Sequence, residues 1–206
     1  MYKNQIVDVG KLLYSKELTC ATSGNISVRT IDGILITASG TALGFLKPSE
    51  IVLIDYDGNV VAGERPSSEK MLHVEIYKQR PDVNAIIHTH PVNLTSFAAC
   101  HEPLNAPIMS ENILYFEDIP VAPYAMPSSQ ELVYYTVEYL KNRDVVLMAN
   151  HGAIAVAENL EKAFLKMETA EYYAKVMINT KILGNPKYLS EKDVQDLINL
   201  KNSNWG

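Results

Sequence analysis

Two kinds of apolar spacing alternate along the chain, and the switches between them mark out its elements. Ile6, Val9, Leu12 and Leu13 recur at helical spacing and predict an N-terminal helix that ends before Thr19. The period then shortens. Asn25 to Arg29 and Ile34 to Thr37 are β-rich runs around Asp32-Gly33, a hairpin turn pair, and Ile51 to Asp55 and Val60 to Val61 flank Asp57-Gly58 in the same way. The first part of the chain thus reads as antiparallel sheet. Ser67-Ser68-Glu69 reads as a helix start, with a serine cap and an early carboxylate, followed by the apolar stripe Met71, Leu72, Ile76 and Tyr77 until Arg80-Pro81 stops it.

Asn84 to His90 predicts a strand with Ile86, His88 and His90 on one face, because side chains two apart on a strand point the same way. Pro91 opens a helix through Phe97. A short strand is expected over Ile119 to Ala122, a helix over Ser128 to Leu140, and a buried strand over Val145 to Met148 that ends at Asn150-His151-Gly152. Asn159 to Thr180 predicts a long helix with Ala163, Met167, Ala170, Tyr173 and Val176 facing inward. No linker, repeat or shift of composition interrupts the pattern. The expectation is one domain over residues 1–206, an α/β layering of helices packed on a central, mostly antiparallel sheet.

Composition narrows the partners. The net charge of −6 and the lack of any basic run argue against nucleic acid, but leave room for a small anion held by backbone N–H groups and hydroxyls. No apolar run is long enough to span a bilayer, and Met1 to Gln5 lacks the apolar core of a secretory leader, so a cytoplasmic location away from membranes is expected. Cys20 and Cys100 are isolated and read as two small buried thiols of a reduced protein.

The chemistry concentrates at His88-Thr89-His90. Of five histidines, these two and His151 join Glu69 in a complete ligand set for a catalytic divalent metal, each at a position where side chains converge on a cleft. Three imidazoles and a carboxylate favour zinc, with cobalt or manganese as alternatives. Glu69, freed beside a cation, is a candidate general base. His73, one helical turn from Glu69 and within reach of the site, reads as a packed histidine or one that supports a ligand from behind, and His101 as an exposed one. Thr22-Ser23-Gly24-Asn25, Ser39-Gly40-Thr41 and Ser67-Ser68 offer hydroxyls and glycines that suit a neutral phosphate cradle. Each is weak alone, but the Ser-Ser-Glu run sets two anion donors directly beside a metal ligand.

In order, Thr22 to Arg29, Leu35 to Gly40, Pro66-Ser67-Ser68-Glu69, His88-Thr89-His90 and Asn150-His151-Gly152 resemble the motif set of the class II aldolase/adducin family over nearly the whole chain. The resemblance implies a three-layer α/β/α fold and a zinc-dependent lyase. Its reaction is retro-aldol cleavage of a ketose 1-phosphate, such as L-fuculose 1-phosphate, to dihydroxyacetone phosphate and an aldehyde, through an enediolate stabilised at the metal. It also implies His88, His90 and His151 as metal ligands and Glu69 as a fourth that swings away to act as acid/base. Thr22, Gly24, Asn25, Ser39, Gly40, Ser67 and Ser68 match the phosphate positions. A homotetramer with active sites between subunits is implied as well.

Two departures concern the aldehyde end. Ser110 stands where the aldolases carry a catalytic tyrosine, which makes the adjoining Glu111 the candidate proton donor, with Tyr115 behind it. Trp205-Gly206 replaces a C-terminal Tyr-Gly. Ribulose-phosphate 4-epimerase, 3-oxo-tetronate 4-phosphate decarboxylase and methylthioribulose-phosphate dehydratase chemistries are the competing readings. The first expects Asp at position 69 and the last usually lacks the Ser-Ser-Glu start. A non-catalytic adducin-like module is disfavoured because all four ligand positions are filled.

Overall fold

Both Asp-Gly pairs turn the chain where their sequence demands. In the computed structural model, which describes residues 1–203, strands β1 (Asn25–Thr30) and β2 (Gly33–Thr37) form an antiparallel hairpin with Ser27 opposite Ile36. Strand β3 (Ile51–Ile54) adds to β2, and the exposed β4 (Val60–Ala62) closes that edge. On the other side of β1 lie β5 (Ala85–Thr89), β8 (Gly152–Ala157), β7 (Val145–Met148) and β6 (Val121–Ala122). The resulting order is β4-β3-β2-β1-β5-β8-β7-β6; every pairing is antiparallel except β6 with β7.

Alternation along these strands feeds two cores. Ile26, Val28, Ala85 and Ile87 point to one face, where α1 (Tyr2–Ser15), α3 (Val92–Cys100) and α6 (Leu160–Leu183) pack on them. Ile34, Ile36, Val52, Ile86 and Ile154 point to the other, covered by α2 (Lys70–Gln79) and α5 (Gln130–Leu140). Each isoleucine fully withdrawn from water contributes roughly 1.5–3 kcal/mol, so both faces hold the sheet rigid around its centre. This is the expected three-layer α/β/α arrangement.

The structure corrects several expectations. Helix α2 starts at Lys70, and neither Ser67 nor Ser68 caps it; Glu69 occupies the cap position without a side-chain cap bond, while the Ser67 hydroxyl accepts the Glu69 N–H at 3.2 Å. Strand β5 stops at Thr89, one residue short of His90. Strand β8, the short helix α4 (Ser110–Tyr115) and the amphipathic α7 (Glu191–Asn202), which packs on α4, are additions. On α6 it is Met177 that is buried, whereas Val176 is half-exposed. Cys20 and Cys100 are exposed free thiols, not buried ones. Trp205-Gly206 lies outside the described residues. Among those described, no helix is long and apolar enough to cross a membrane.

Candidate metal centre

The sheet register assembles the site. On β1 and β5, Asn25 stands opposite His88, and on β5 and β8, His88 stands opposite Ile154. His90 follows just past the strand end, and its Nε2 lies 3.2 Å from His88 Nε2. The turn from β7 into β8 then delivers His151, with Asn150 in the left-handed region (φ 54°). Two glycines make the convergence possible. A side chain at Gly152 would begin 2.4 Å from His90 Cδ2, and one at Gly24 (φ 82°) would begin 2.6 Å from the carbonyl oxygen of His88. After His90, α3 is held by Glu171 of α6, whose carboxylate accepts the N–H groups of Asn93 (2.9 Å) and Leu94 (2.8 Å).

The hydrogen bonding leaves a place for a cation. His88 Nδ1 must donate to the carbonyl of Ala153 at 2.9 Å, so a neutral His88 turns the lone pair of Nε2 inward. That lone pair faces Glu69 Oε2 at 3.2 Å, and His151 Nε2 faces Glu69 Oε1 at 3.5 Å. Glu69 is buried, yet Oε1 receives no hydrogen bond. Electron pairs thus converge with nothing between them, which is costly unless a positive charge sits there. The ligand nitrogens of His88, His90 and His151 all lie within 4.8 Å of one another. Three imidazoles with an adjacent carboxylate fit a divalent metal better than a single proton.

Electrostatics points the same way. Burial drives the imidazoles toward the neutral form, aided by His88 next door, so that His90 falls to about 3 and His151 to about 4. Burial raises the Glu69 carboxyl, but His88, His151, the Asn25 amide and His73 outweigh it and keep it below the usual range. His73, fully buried, falls to about 3. In the unfolded chain these imidazoles titrate near about 6.5. Between the two values the unfolded state binds more protons, so folding stability is complete above about 6.5 and drains away as the pH falls. The metal-free protein is therefore expected to lose about 1.4 kcal/mol per pH unit for a fully buried imidazole such as His73. Urea midpoints stepped downward from neutral pH measure this; a level profile would mean that protons already reach these rings.

Two of the hydroxyl clusters meet at the turn that carries Glu69, whereas the Ser23 hydroxyl turns back to the Cys20 carbonyl. Ser39 N–H donates to the carbonyl of Arg65 at 2.9 Å and Ser67 N–H to that of Thr37 at 3.0 Å, which brings the loops of Ser39-Gly40 and Ser67-Ser68 together. Thr22, Gly40 and Ser68 are exposed, and nothing lies near the place where a Gly40 side chain would begin. Asn25 is different, since its carboxamide is buried between Glu69 and His73. His101 is exposed as expected, but its Nε2 donates to Asn150 Oδ1 at 2.6 Å, beside the turn that carries His151. Glu111 lies exposed in the first turn of α4 and makes no hydrogen bond to the histidines. A cavity of about 740 Å³ opens at the other end of β1 and is lined by residues such as Leu12, Ile31 and Phe164, with none of the metal-ligand candidates.

Comparison with known proteins covers the same ground. Residues 4–178 match the family described as Class II Aldolase and Adducin N-terminal domain. A solved structure of L-fuculose 1-phosphate aldolase superposes with a TM-score of 0.90 at 37% identity, covering 97% of this chain and 95% of that one. The 5-deoxy-D-ribulose 1-phosphate aldolase of Bacillus thuringiensis serovar kurstaki is 36% identical over 95% of this chain and 92% of its own. The 3-oxo-tetronate 4-phosphate decarboxylase of Haemophilus influenzae is 31% identical over 96% of each.

Proposed function

The chain belongs to the class II aldolase and adducin family, and from that premise we propose that it cleaves a ketose 1-phosphate, such as L-fuculose 1-phosphate, to dihydroxyacetone phosphate and an aldehyde. It is a lyase of class II aldolase type, and that family is metal-dependent. The observation that carries the reading is the clustering of His88, His90 and His151 beside Glu69, with His88 facing Oε2 and His151 facing the unpartnered Oε1. Zinc is the metal proposed, held by these three imidazoles with Glu69 as a displaceable fourth ligand. When bound, it supplies Lewis acidity at the sugar carbonyl and hydroxyl oxygens.

The remaining work falls to the chain. Thr22, Gly24, Asn25, Ser39, Gly40, Ser67 and Ser68 are proposed to hold the phosphate with neutral donors, supported by the contacts of Asn25 and Ser67 with Glu69 and by the pairing of the Ser39 and Ser67 loops. Cleavage needs a proton taken from the hydroxyl beside the breaking carbon–carbon bond and one returned to the carbon that keeps the phosphate-bearing half. Glu69, ionised and with one free oxygen, is proposed to carry the second. Glu111 is proposed for the aldehyde end. Its exposure fits a homotetramer whose sites lie between subunits, as do exposed apolar side chains such as Phe45 and Val92. A cytoplasmic setting goes with two free thiols.

The test is to offer the zinc-loaded protein a panel of ketose 1-phosphates together with 3-oxo-tetronate 4-phosphate. Dihydroxyacetone phosphate, followed by a coupled reductase, is expected from at least one ketose. Carbon dioxide from the tetronate, with no ketose cleaved, would replace aldol cleavage by decarboxylation.

A further inference from the structure

Helix α2 and strand β1 face each other with two polar stripes whose periods match. Glu69, His73 and Tyr77 recur every fourth residue along one side of the helix, while Asn25 and Ser27 alternate on the facing side of the strand. Together they form an unbroken buried chain. Asn25 Nδ2 donates to Glu69 Oε2 at 3.0 Å, and Asn25 Oδ1 lies 2.5 Å from His73 Nε2. His73 Nδ1 lies 2.6 Å from Ser27 Oγ, which lies 2.8 Å from the Tyr77 hydroxyl.

Its direction is fixed by one end. The Glu69 carboxylate can only accept, so Asn25 presents its amide N–H to Glu69 and its carbonyl oxygen to His73. His73 then carries its proton on Nε2, its bare Nδ1 accepts the Ser27 O–H, and Ser27 accepts the Tyr77 O–H. Every donor points toward Glu69. Arg29, the next residue of the strand stripe, donates to the Tyr77 carbonyl at 2.6 Å with its guanidinium 4.9 Å from the Tyr77 ring centre, closing the far end.

We infer that His73, with Ser27 and Tyr77 behind it, is a positioning residue for the reaction, acting through Asn25 to hold Glu69 Oε2 beside His88 and leave Oε1 free of hydrogen bonds and facing His151. This rests on the reading of Glu69 proposed above. Without His73, Glu69 alone holds the Asn25 carboxamide, and the buried Asn25 Oδ1 loses its donor. The amide then turns or shifts to find one, and Glu69 moves with it.

His73→Leu removes both ring nitrogens, whereas His73→Gln restores an N–H donor toward Asn25. Tyr77→Phe deletes only the end of the chain. In the leucine variant, cobalt(II) affinity and the rate of deuterium uptake by dihydroxyacetone phosphate are expected to fall by about 10- to 100-fold. The KM of the ketose phosphate is expected to move less than either, because of the proposed phosphate set only the Asn25 carboxamide touches His73. His73→Gln is expected to recover most of both losses, and Tyr77→Phe to lose less than His73→Leu. Wild-type cobalt affinity and exchange in His73→Leu would overturn the inference, as would equal losses in the leucine and glutamine variants. If the wild-type protein itself binds no cobalt, the proposed function fails instead. Crystal structures of metal-free wild type and His73→Leu then decide the positioning role, which stands if Asn25 turns and Glu69 shifts and falls if neither moves.

Discussion

His90→Ala is expected to abolish stoichiometric zinc binding and to cut lyase turnover by on the order of a thousandfold or more, as happens when one member of a set that acts as a unit is removed. The fold should survive. His90 lies beyond the end of β5, is only half-buried, and its side chain makes one hydrogen bond, to His88. Truncating it costs about 1 kcal/mol or less, and it opens space beside Gly152 where the ring now presses. Two imidazoles and a displaceable carboxylate then remain, too few for a firm tetrahedral set that also leaves room for substrate. Metal content after dialysis, thermal unfolding of the apo form and dihydroxyacetone phosphate release together check this. A variant that keeps one zinc per chain and turns over normally would take His90 out of the ligand set.

That local loss is possible because the parts of the site come from separated elements. Glu69 sits at a helix start, His88 at a strand end, and His151 in a turn, joined only by pairings such as Asn25 with His88 and His88 with Ile154. The spacing of two between His88 and His90 predicts their convergence, and the Asp-Gly turns predict the hairpins that bring β1 alongside. What the sequence hides follows from the same physics. Strand β8, Gly152 to Ala157, is buried along its full length between β5 and β7, so it shows no polar alternation. Three of its six residues are alanine, a poor strand former. Its only signal is an unbroken apolar run between a His-Gly turn and Glu158-Asn159. Helix α7 did carry a readable mark, Ser190 followed three residues on by Asp193, which form a reciprocal cap.

The polar chain behind Glu69 is harder to see for a different reason. His73 lies 48 residues from Asn25 and 46 from Ser27, and local sequence describes none of that separation. Taken alone, His73 is a histidine in an apolar stripe one turn from Glu69, which is why it reads equally as packing or as support for a ligand. Only when the four-residue period of α2 is laid against the two-residue period of β1 do the stripes coincide. The serines before Glu69 mislead in the opposite sense. They look like a helix cap, but Ser67 spends its hydroxyl on the Glu69 N–H one turn before the helix begins.

Glu69→Gln separates the metal from the proton. Glutamine matches glutamate in shape, and its carbonyl oxygen can take the place of Oε2 in accepting from Asn25. Its amide nitrogen then falls where Oε1 now faces His151, and brings N–H donors into a space meant for a cation. The three imidazoles are untouched. Metal binding is therefore expected to weaken by about 10- to 100-fold but to persist. Turnover and deuterium uptake by dihydroxyacetone phosphate should fall by roughly 10²–10⁴-fold, the scale of a lost general base. His90→Ala would fail by losing the ion, and zinc added in excess would rescue it in part. Glu69→Gln would fail with the ion in place, and no amount of zinc would restore it. Deuterium exchange at the wild-type rate in a zinc-saturated Glu69→Gln protein would show that another group moves that proton, and would return Glu69 to a purely structural place beside the histidines.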